Sequence, residues 1–414
     1  MIFFHSNFLR KWFPLSAVIF VAIYVLVIAI APSFLDKKMN TIVISAPYQV
    51  DKKAAALYDS LDFIGDLHSD VLLWQRDILK EHAYGHEDIP RMLQANIALQ
   101  AFTIVNKTPV GINFDRNTGD TDQITRLFMA QGRPLKSWFS LTERVITQAD
   151  SLHEFSQLSE GKLSIIKSRK DLLQYIKRRE GDKELTAGFL GIEGAQALEG
   201  KLENIDIVFE AGVRMIGLTH FFDNELGASA HGVIHGGITD FGREALKKME
   251  EMKIIIDLSH AAPKLIDDVL ASAKNPIIVS HTGVKGTCDN VRNLSDQHLS
   301  QIAQNGGLIG IAMFDQAICG ADPDAIAKAI IYTANLVGIE HVALGSDFDG
   351  AVKTIFDVRG LPLIVEALLK SGMPEKDVRL VMGDNIKRFL LENLPGSPAT
   401  LSTPPPLTSS TNTL

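Results

Sequence analysis

Six apolar runs in this 414-residue chain end in side chains that can hold a metal or move a proton. The first ends in Asp66-Leu67-His68-Ser69-Asp70. Glu193 closes GIEG, His220 closes GLTH, His260 closes IIIDLSH and His281 closes IIVSH. The last ends in Asp347-Phe348-Asp349. A lone histidine at a strand end is more often hydrogen-bonded structure than a ligand. Four of them at four ends, with two carboxylate sites, point to a shared metal centre. His68 and Asp70 stand two apart, so on an extended strand they share one face and reach one ion. Glu193 lies among apolar residues and glycines, where a carboxylate is expensive unless metal-bound or paired, for instance with a barrel arginine. Donors of His, Asp and Glu type without Cys suit zinc, with manganese or cobalt as alternatives. Three histidines and two carboxylates exceed what one four-coordinate zinc needs. Two ions sharing a carboxylate would use them all, and paired ions that bridge a water and lower its pKa carry out hydrolysis.

Residues so far apart in sequence need a scaffold that gathers strand ends. Buried strands are expected at Phe63–Leu67, Leu99–Val105, Ala187–Ile192, Arg214–Thr219, Ile254–Ser259, Pro276–Ser280, Leu308–Met313 and His341–Ser346. Helical patterns fall between them, as at Gly242–Met252, Pro263–Ser272 and Asp324–Val337. Alternating strand and helix means a parallel sheet with crossover helices. Eight such strands fit a (β/α)8 TIM-type barrel, whose active sites lie at the C-terminal strand ends; an open doubly wound sheet is the rival. The stretch 106–185 breaks the rhythm and is expected to be an inserted helical segment over the barrel.

Apolar residues make up 46% of the chain and charged residues 22%, enough for a sizeable core. The net charge of −8 argues against a broad nucleic-acid face. With two cysteines, Cys288 and Cys319, there is no disulfide scaffold and no CxxC knuckle; one bridge between them stays open if the compartment is oxidising. Trp12–Ala31 carries no charge and is about the length of a transmembrane helix, which takes roughly 20 residues. It is read as an uncleaved anchor, with a signal cleaved after Ala31 as the alternative. Arg10 and Lys11 precede it and Lys37 and Lys38 follow it, so the flanking charges do not set its orientation. The expected organisation is an anchor or signal over 1–35, a linker over 36–53, a barrel over 54–394 and a disordered Pro/Ser/Thr-rich tail over 395–414. HExxH, GxSxG and Walker sequences are absent, so helix-borne zinc proteolysis, the serine-hydrolase elbow and P-loop transfer lose support.

Taken together, the motifs resemble the membrane (renal) dipeptidases, zinc enzymes of the amidohydrolase-like barrel group. The likeness rests on DLHSD at 66–70, DIPRMLQANIALQAF at 88–102, GIEGAQAL at 191–198, LTHFFDNELGASAHG at 218–232 and GITDFGREALKKMEEMKIIIDLSH at 237–260. It continues through VSHTGVKG at 279–286, VRNLSD at 291–296, LGSDFDG at 344–350 and GDNIKRFL at 383–390. The resemblance implies a dizinc dipeptidase. His68 and Asp70 would hold one zinc, His260 and His281 the other, and Glu193 would bridge them. His220 would bind the substrate carbonyl oxygen, Arg292 the C-terminal carboxylate of the dipeptide, and Asp347 the bridging water and the substrate amine. Asp349, the other carboxylate of DFD, is read as a cap. A homodimer is implied by the resemblance alone.

The chain departs from the animal enzymes in two respects. Cys288 and Cys319 do not sit at the family's bridge positions, and no apolar C-terminal tail exists to be exchanged for a lipid. The sequence looks like a bacterial member, anchored by its N-terminal span with the catalytic mass on the periplasmic side, or secreted if the span is cleaved. Two rival functions are a tailoring hydrolase acting on a secreted peptide metabolite and a non-catalytic periplasmic protein on the same barrel. His82, His86, His153, His231 and His235 are expected to be surface or loop structure.

Overall fold

The structure, a computed structural model, describes residues 6–396, with side chains from Ala22 onward except Ile23. Eight parallel strands run in one sheet. They are β1 (Ile64–Ser69), β2 (Ile97–Val105), β3 (Thr186–Glu193), β4 (Val213–Gly217), β5 (Ile255–Asp257), β6 (Ile278–Thr282), β7 (Leu308–Ile311) and β8 (Val342–Leu344). They pair in chain order from β1 to β8, and a short strand, Leu163–Ile165, adds to the start of β3. Every residue of the eight strands is buried, as expected where helices cover a parallel sheet from outside.

The sheet nearly closes on itself. Ser346 donates to the Asp66 carboxylate through its backbone N–H (2.7 Å) and its hydroxyl (2.6 Å). Just beyond, Asp70 N–H donates to the Phe348 carbonyl at 2.8 Å. The later part of β1 and the segment just after β8 are thereby joined without a full ladder. Gly310 on β7 and Gly345 after β8 let these strands approach β6, because a side chain at either would run into the Ser280 carbonyl.

The crossover helices have local causes. Thr239 caps Asp240–Glu251 by accepting from the Gly242 N–H, and Asp322 caps Pro323–Val337 by accepting from the Ala325 N–H, with proline in the first turn. In the insert, Ser140 and Glu143 form the S-x-x-E pattern that opens Leu141–Leu158. The insert is helical as expected, at Gln123–Ala130, Lys136–Phe139, Leu141–Leu158 and Arg169–Gly181.

The N-terminal region opens on one long helix. A single helix runs Ser6–Met39, past the anchor boundary at 35. Residues 36–53 are no free linker. Asp36 and Asn40 are buried, and Thr41–Ile42 pairs in parallel with Lys353–Thr354 beyond β8. Among the described residues no helix is long and apolar enough to cross a membrane. The side chains of 12–21 and of Ile23, within the expected span, lie outside the described residues, as does the tail from 397 onward.

Candidate metal centre and active site

The sequence-predicted residues converge at the C-terminal end of the barrel. His68 and Glu193 sit on β1 and β3, and His281 on β6. Asp70, His220, His260 and Asp347 follow the ends of β1, β4, β5 and β8. His260 (φ 62°) and Asp347 (φ 63°) adopt the left-handed region. For residues with a side chain this costs about 1–3 kcal/mol and recurs at functional sites.

Glu193 is the hub. Its Oε1 lies 3.1 Å from His260 Nε2, 3.4 Å from His281 Nε2 and 3.5 Å from His68 Nε2, and its Oε2 lies 3.1 Å from His220 Nε2. His68 Nε2 is also 3.5 Å from Asp70 Oδ1, and the Nε2 atoms of His260 and His281 are 3.1 Å apart. Three overlapping groups could each surround an ion: His68, Glu193 and His281; Glu193, His220 and His260; and His68, Asp70 and Asp347. Two ligand atoms on one tetrahedral zinc stand about 3.3 Å apart, close to these separations. His68 Nε2 is buried and has no hydrogen-bond partner, as a ligand atom held for a metal would be. The residues therefore fit a metal centre.

The electrostatics agree. Burial drives His220, His260 and His281 well below the usual imidazole value, so each offers a neutral ring. Burial also opposes charge on His68, but Asp70, Glu193 and Asp347 around it outweigh that and raise it to about 10. Burial lifts Glu193 well above the usual carboxylate range, with Asp70 and Asp347 adding to the effect. It raises Asp347 to about 7, with Asp70 adding while His68 and Arg292 oppose. Crowded carboxylates around a buried imidazole call for a positive charge at this point.

An outer layer holds the rings. His68 Nδ1 is hydrogen-bonded to Ser280 Oγ (2.9 Å), and the same hydroxyl donates to Asp257 Oδ2 at 2.6 Å. Ser259 Oγ donates to Asp257 Oδ1 at 2.8 Å, and Thr103 Oγ1 donates to Asp70 Oδ1 at 2.6 Å. Such partners orient metal ligands. Asp257, Ser259, Ser280 and Thr103 were not singled out in the sequence. For the first three, the only sequence signal is their position one to three residues before a histidine.

Arg292 comes from the loop after β6. It is buried, Nη2 donates to the His281 carbonyl (3.0 Å), and Nη1 has no partner. Asn290 and Asn293 tie this loop to the segment after β7 through the Gln316 and Ala317 carbonyls. A Cys288–Cys319 disulfide joins the same two segments, so the bridge left open in the sequence is formed. Asp347 and Asp349 meet different partners. Asp347 faces the metal-binding residues, whereas Asp349 pairs with Arg76 (2.8 Å) and accepts from the His86 N–H (2.8 Å).

Two of the discounted histidines are more integral than expected. His86 is fully buried and accepts from the Asp349 N–H at 2.7 Å. His231, also buried, packs its ring on Phe221 and His260, while His235 is exposed as expected. Above the centre opens a cavity of about 670 Å3 lined by Asp70, Glu193, His220, His260, His281, Arg292 and Asp347. Its outer walls are largely apolar, including Leu73, Trp74, Val105, Ile112, Phe114 and Leu127.

A parallel barrel with histidines and carboxylates gathered at its strand ends is the architecture of a metal-dependent hydrolase. The profile of the membrane dipeptidase family, peptidase family M19, matches residues 51–394. The chain belongs to that family of metallopeptidases. It is 27% identical over 318 residues to dipeptidase tcpJ of Claviceps purpurea, covering 74% of this chain and 69% of that one. It is also 27% identical over 351 residues to dipeptidase aclJ of Aspergillus oryzae, covering 78% and 76%. Among solved structures, the probable dipeptidase PvdM of Pseudomonas aeruginosa shares the fold, with a TM-score of 0.68, 19% identity, and coverage of 83% of this chain and 98% of that one. A metallopeptidase of Rhodobacter sphaeroides, described as liganded with a phosphinate mimic of the dipeptide L-Ala-D-Ala, does so at a TM-score of 0.64 and 21% identity, covering 81% and 100%.

Proposed function

We propose that this protein is a dizinc dipeptidase, with His68 and Asp70 on one ion, His260 and His281 on the other, and Glu193 shared. The observation that carries the reading is that Glu193 lies within 3.5 Å of the Nε2 atoms of His68, His260 and His281, while buried Arg292, whose Nη1 has no partner, lines the same cavity. When bound, the ions supply Lewis-acid polarisation of the scissile carbonyl and a water acidic enough to attack it.

The chain's own residues do the rest. A dipeptide has a charge at each end. Arg292 grips the carboxylate with a planar fork already oriented by the His281 carbonyl. Asp347, a buried carboxylate beside the metal-binding residues, holds the ammonium, takes the proton released by the attacking water and passes it to the leaving nitrogen. His220, kept neutral by burial, donates to the carbonyl oxygen as negative charge grows there.

Two features support an extracytoplasmic, membrane-anchored enzyme. The Cys288–Cys319 bridge is a feature of oxidising compartments. Val25, Leu26 and Ile30 are exposed on the N-terminal helix, in line with an apolar span.

The test is hydrolysis of a dipeptide panel by the full-length protein. The panel includes D-residues at the C-terminal position, since a structural neighbour is described with an L-Ala-D-Ala mimic. Turnover that vanishes with a chelator and returns with zinc is expected. Two zinc ions bound without turnover of any dipeptide would refute the reading and favour a tailoring hydrolase acting on a larger peptide metabolite.

A further inference from the structure

The active-site cavity has a wall that lies outside the family-matched region. Leu35 and Met39, from the last two turns of the helix Ser6–Met39, line the same cavity as Glu193, Arg292 and Asp347. The family profile begins at residue 51. Leu35 packs into a cluster with Leu73, Trp74 and Ile124, and Met39, 39% exposed, stands at the cavity edge.

This helix end is fastened, not merely adjacent. Asp36 is buried and pairs with Arg76 (3.1 Å), and Arg76 also pairs with Asp349 (2.8 Å), two residues beyond Asp347. Asn40 Oδ1 accepts from the Ala351 N–H at 2.9 Å. Thr41–Ile42 then adds a strand to Lys353–Thr354. The contacts run from the helix to the loop that carries Asp347, so the wall stands beside that loop. Arg292 enters from the loop after β6.

We infer that Leu35 and Met39 are specificity-determining residues that select substrates whose amino-terminal residue carries a large apolar group. The inference rests on the dipeptidase reading, because that reading places the substrate ammonium at Asp347 and hence its amino-terminal side chain by the helix. Burying such a group against two apolar side chains gains free energy with the area removed from water, and a small side chain leaves that area unused. The cavity of about 670 Å3 falls in the range that encloses drug-sized ligands.

The experiment compares the full-length protein with Leu35→Ala, Met39→Ala and the double variant. Each is assayed on Leu-Ala, Phe-Ala and Ala-Ala under zinc-replete conditions. The ratio of kcat/KM for Phe-Ala to that for Ala-Ala is expected to fall about tenfold in the double variant, mainly through KM. Met39→Ala keeps the test usable if Leu35→Ala disturbs the Trp74 cluster. An unchanged ratio, or an equal loss on all three substrates, overturns the inference and leaves the helix end a structural strut. Calorimetric binding of the same dipeptides to chelator-treated protein reads the wall without turnover. If no dipeptide is hydrolysed but Phe-Ala still binds tighter than Ala-Ala in a Leu35- and Met39-dependent way, the dipeptidase reading fails and the wall stands. Equal binding of the two dipeptides overturns the wall.

Discussion

Glu193 ends a strand whose other residues are apolar or small, and it is buried with three imidazole nitrogens within 3.5 Å of one of its oxygens. Glu193→Gln keeps the shape but removes the charge that two cations would share. Metal affinity is expected to fall by more than the roughly 10–100-fold of an outer-layer change, and turnover with it, as read by metal analysis of dialysed protein alongside activity. Full zinc content with full activity would refute the bridging role. Arg292 offers a different test, since its buried Nη1 lacks a partner. Arg292→Ala is expected to raise KM for dipeptides about 10–100-fold, the worth of hydrogen bonds between charged groups, with a smaller effect on kcat. An unchanged KM would remove the carboxylate clamp.

At the scale of elements, the loops after β6 and β8 are each tied down. The Cys288–Cys319 bridge closes a 31-residue separation and holds the Arg292 loop to the segment after β7. Cys288→Ser with Cys319→Ser is expected to cost about 3 kcal/mol of stability by restoring freedom to the unfolded chain. Chemical denaturation of the two proteins should show that loss, together with a higher KM as Arg292 loosens. The N-terminal helix is tied through Asp36, whose pKa burial raises to about 6, with Arg76 opposing and Asp349 adding. An unfolded aspartate titrates near 3.9. The folded state thus holds the Asp36 proton more tightly, so this group's contribution is full below about pH 4 and is lost as pH rises through about 6. Asp36→Asn removes that dependence. Relative to the parent, the variant should gain on the order of 2–3 kcal/mol between pH 4 and pH 7. Parallel stability curves for the two proteins would exclude the titration.

For the molecule as a whole, an apolar N-terminal helix leads directly into the wall of the catalytic cavity. If Trp12–Ala31 anchors the protein, the full chain stays with the membrane fraction through an alkaline carbonate wash, and its N-terminus is intact. Release by carbonate, or a mature chain beginning at Pro32, would refute the anchor. An anchored helix would also hold the cavity mouth close to the bilayer, since Leu35 lies four residues beyond the expected span.

Much of the site is legible in the sequence, because its chemistry is carried by single residue types at strand ends. His68, Glu193, His220, His260, His281 and Asp347 stand out once short buried runs alternate with amphipathic helices, and a parallel barrel has one end at which such residues can meet. The disulfide needed coordinates: two cysteines permit a bridge, but only the fold shows that the loops after β6 and β7 lie side by side. The roles of Asp257, Ser259 and Ser280 were hidden because hydrogen bonds between neighbouring strands leave no periodic signal. The wall made by Leu35 and Met39 was hidden for a similar reason. An apolar helix end reads the same whether it meets lipid, core or substrate, and it takes the Asp36–Arg76–Asp349 ion pairs, the Asn40–Ala351 hydrogen bond and the Thr41–Ile42 strand to fix it beside Asp347. Covalent order thus determined which groups are present and on which strand ends they fall. Tertiary packing decided their distances, the charge states burial imposes, and which remote segments share the cavity with them.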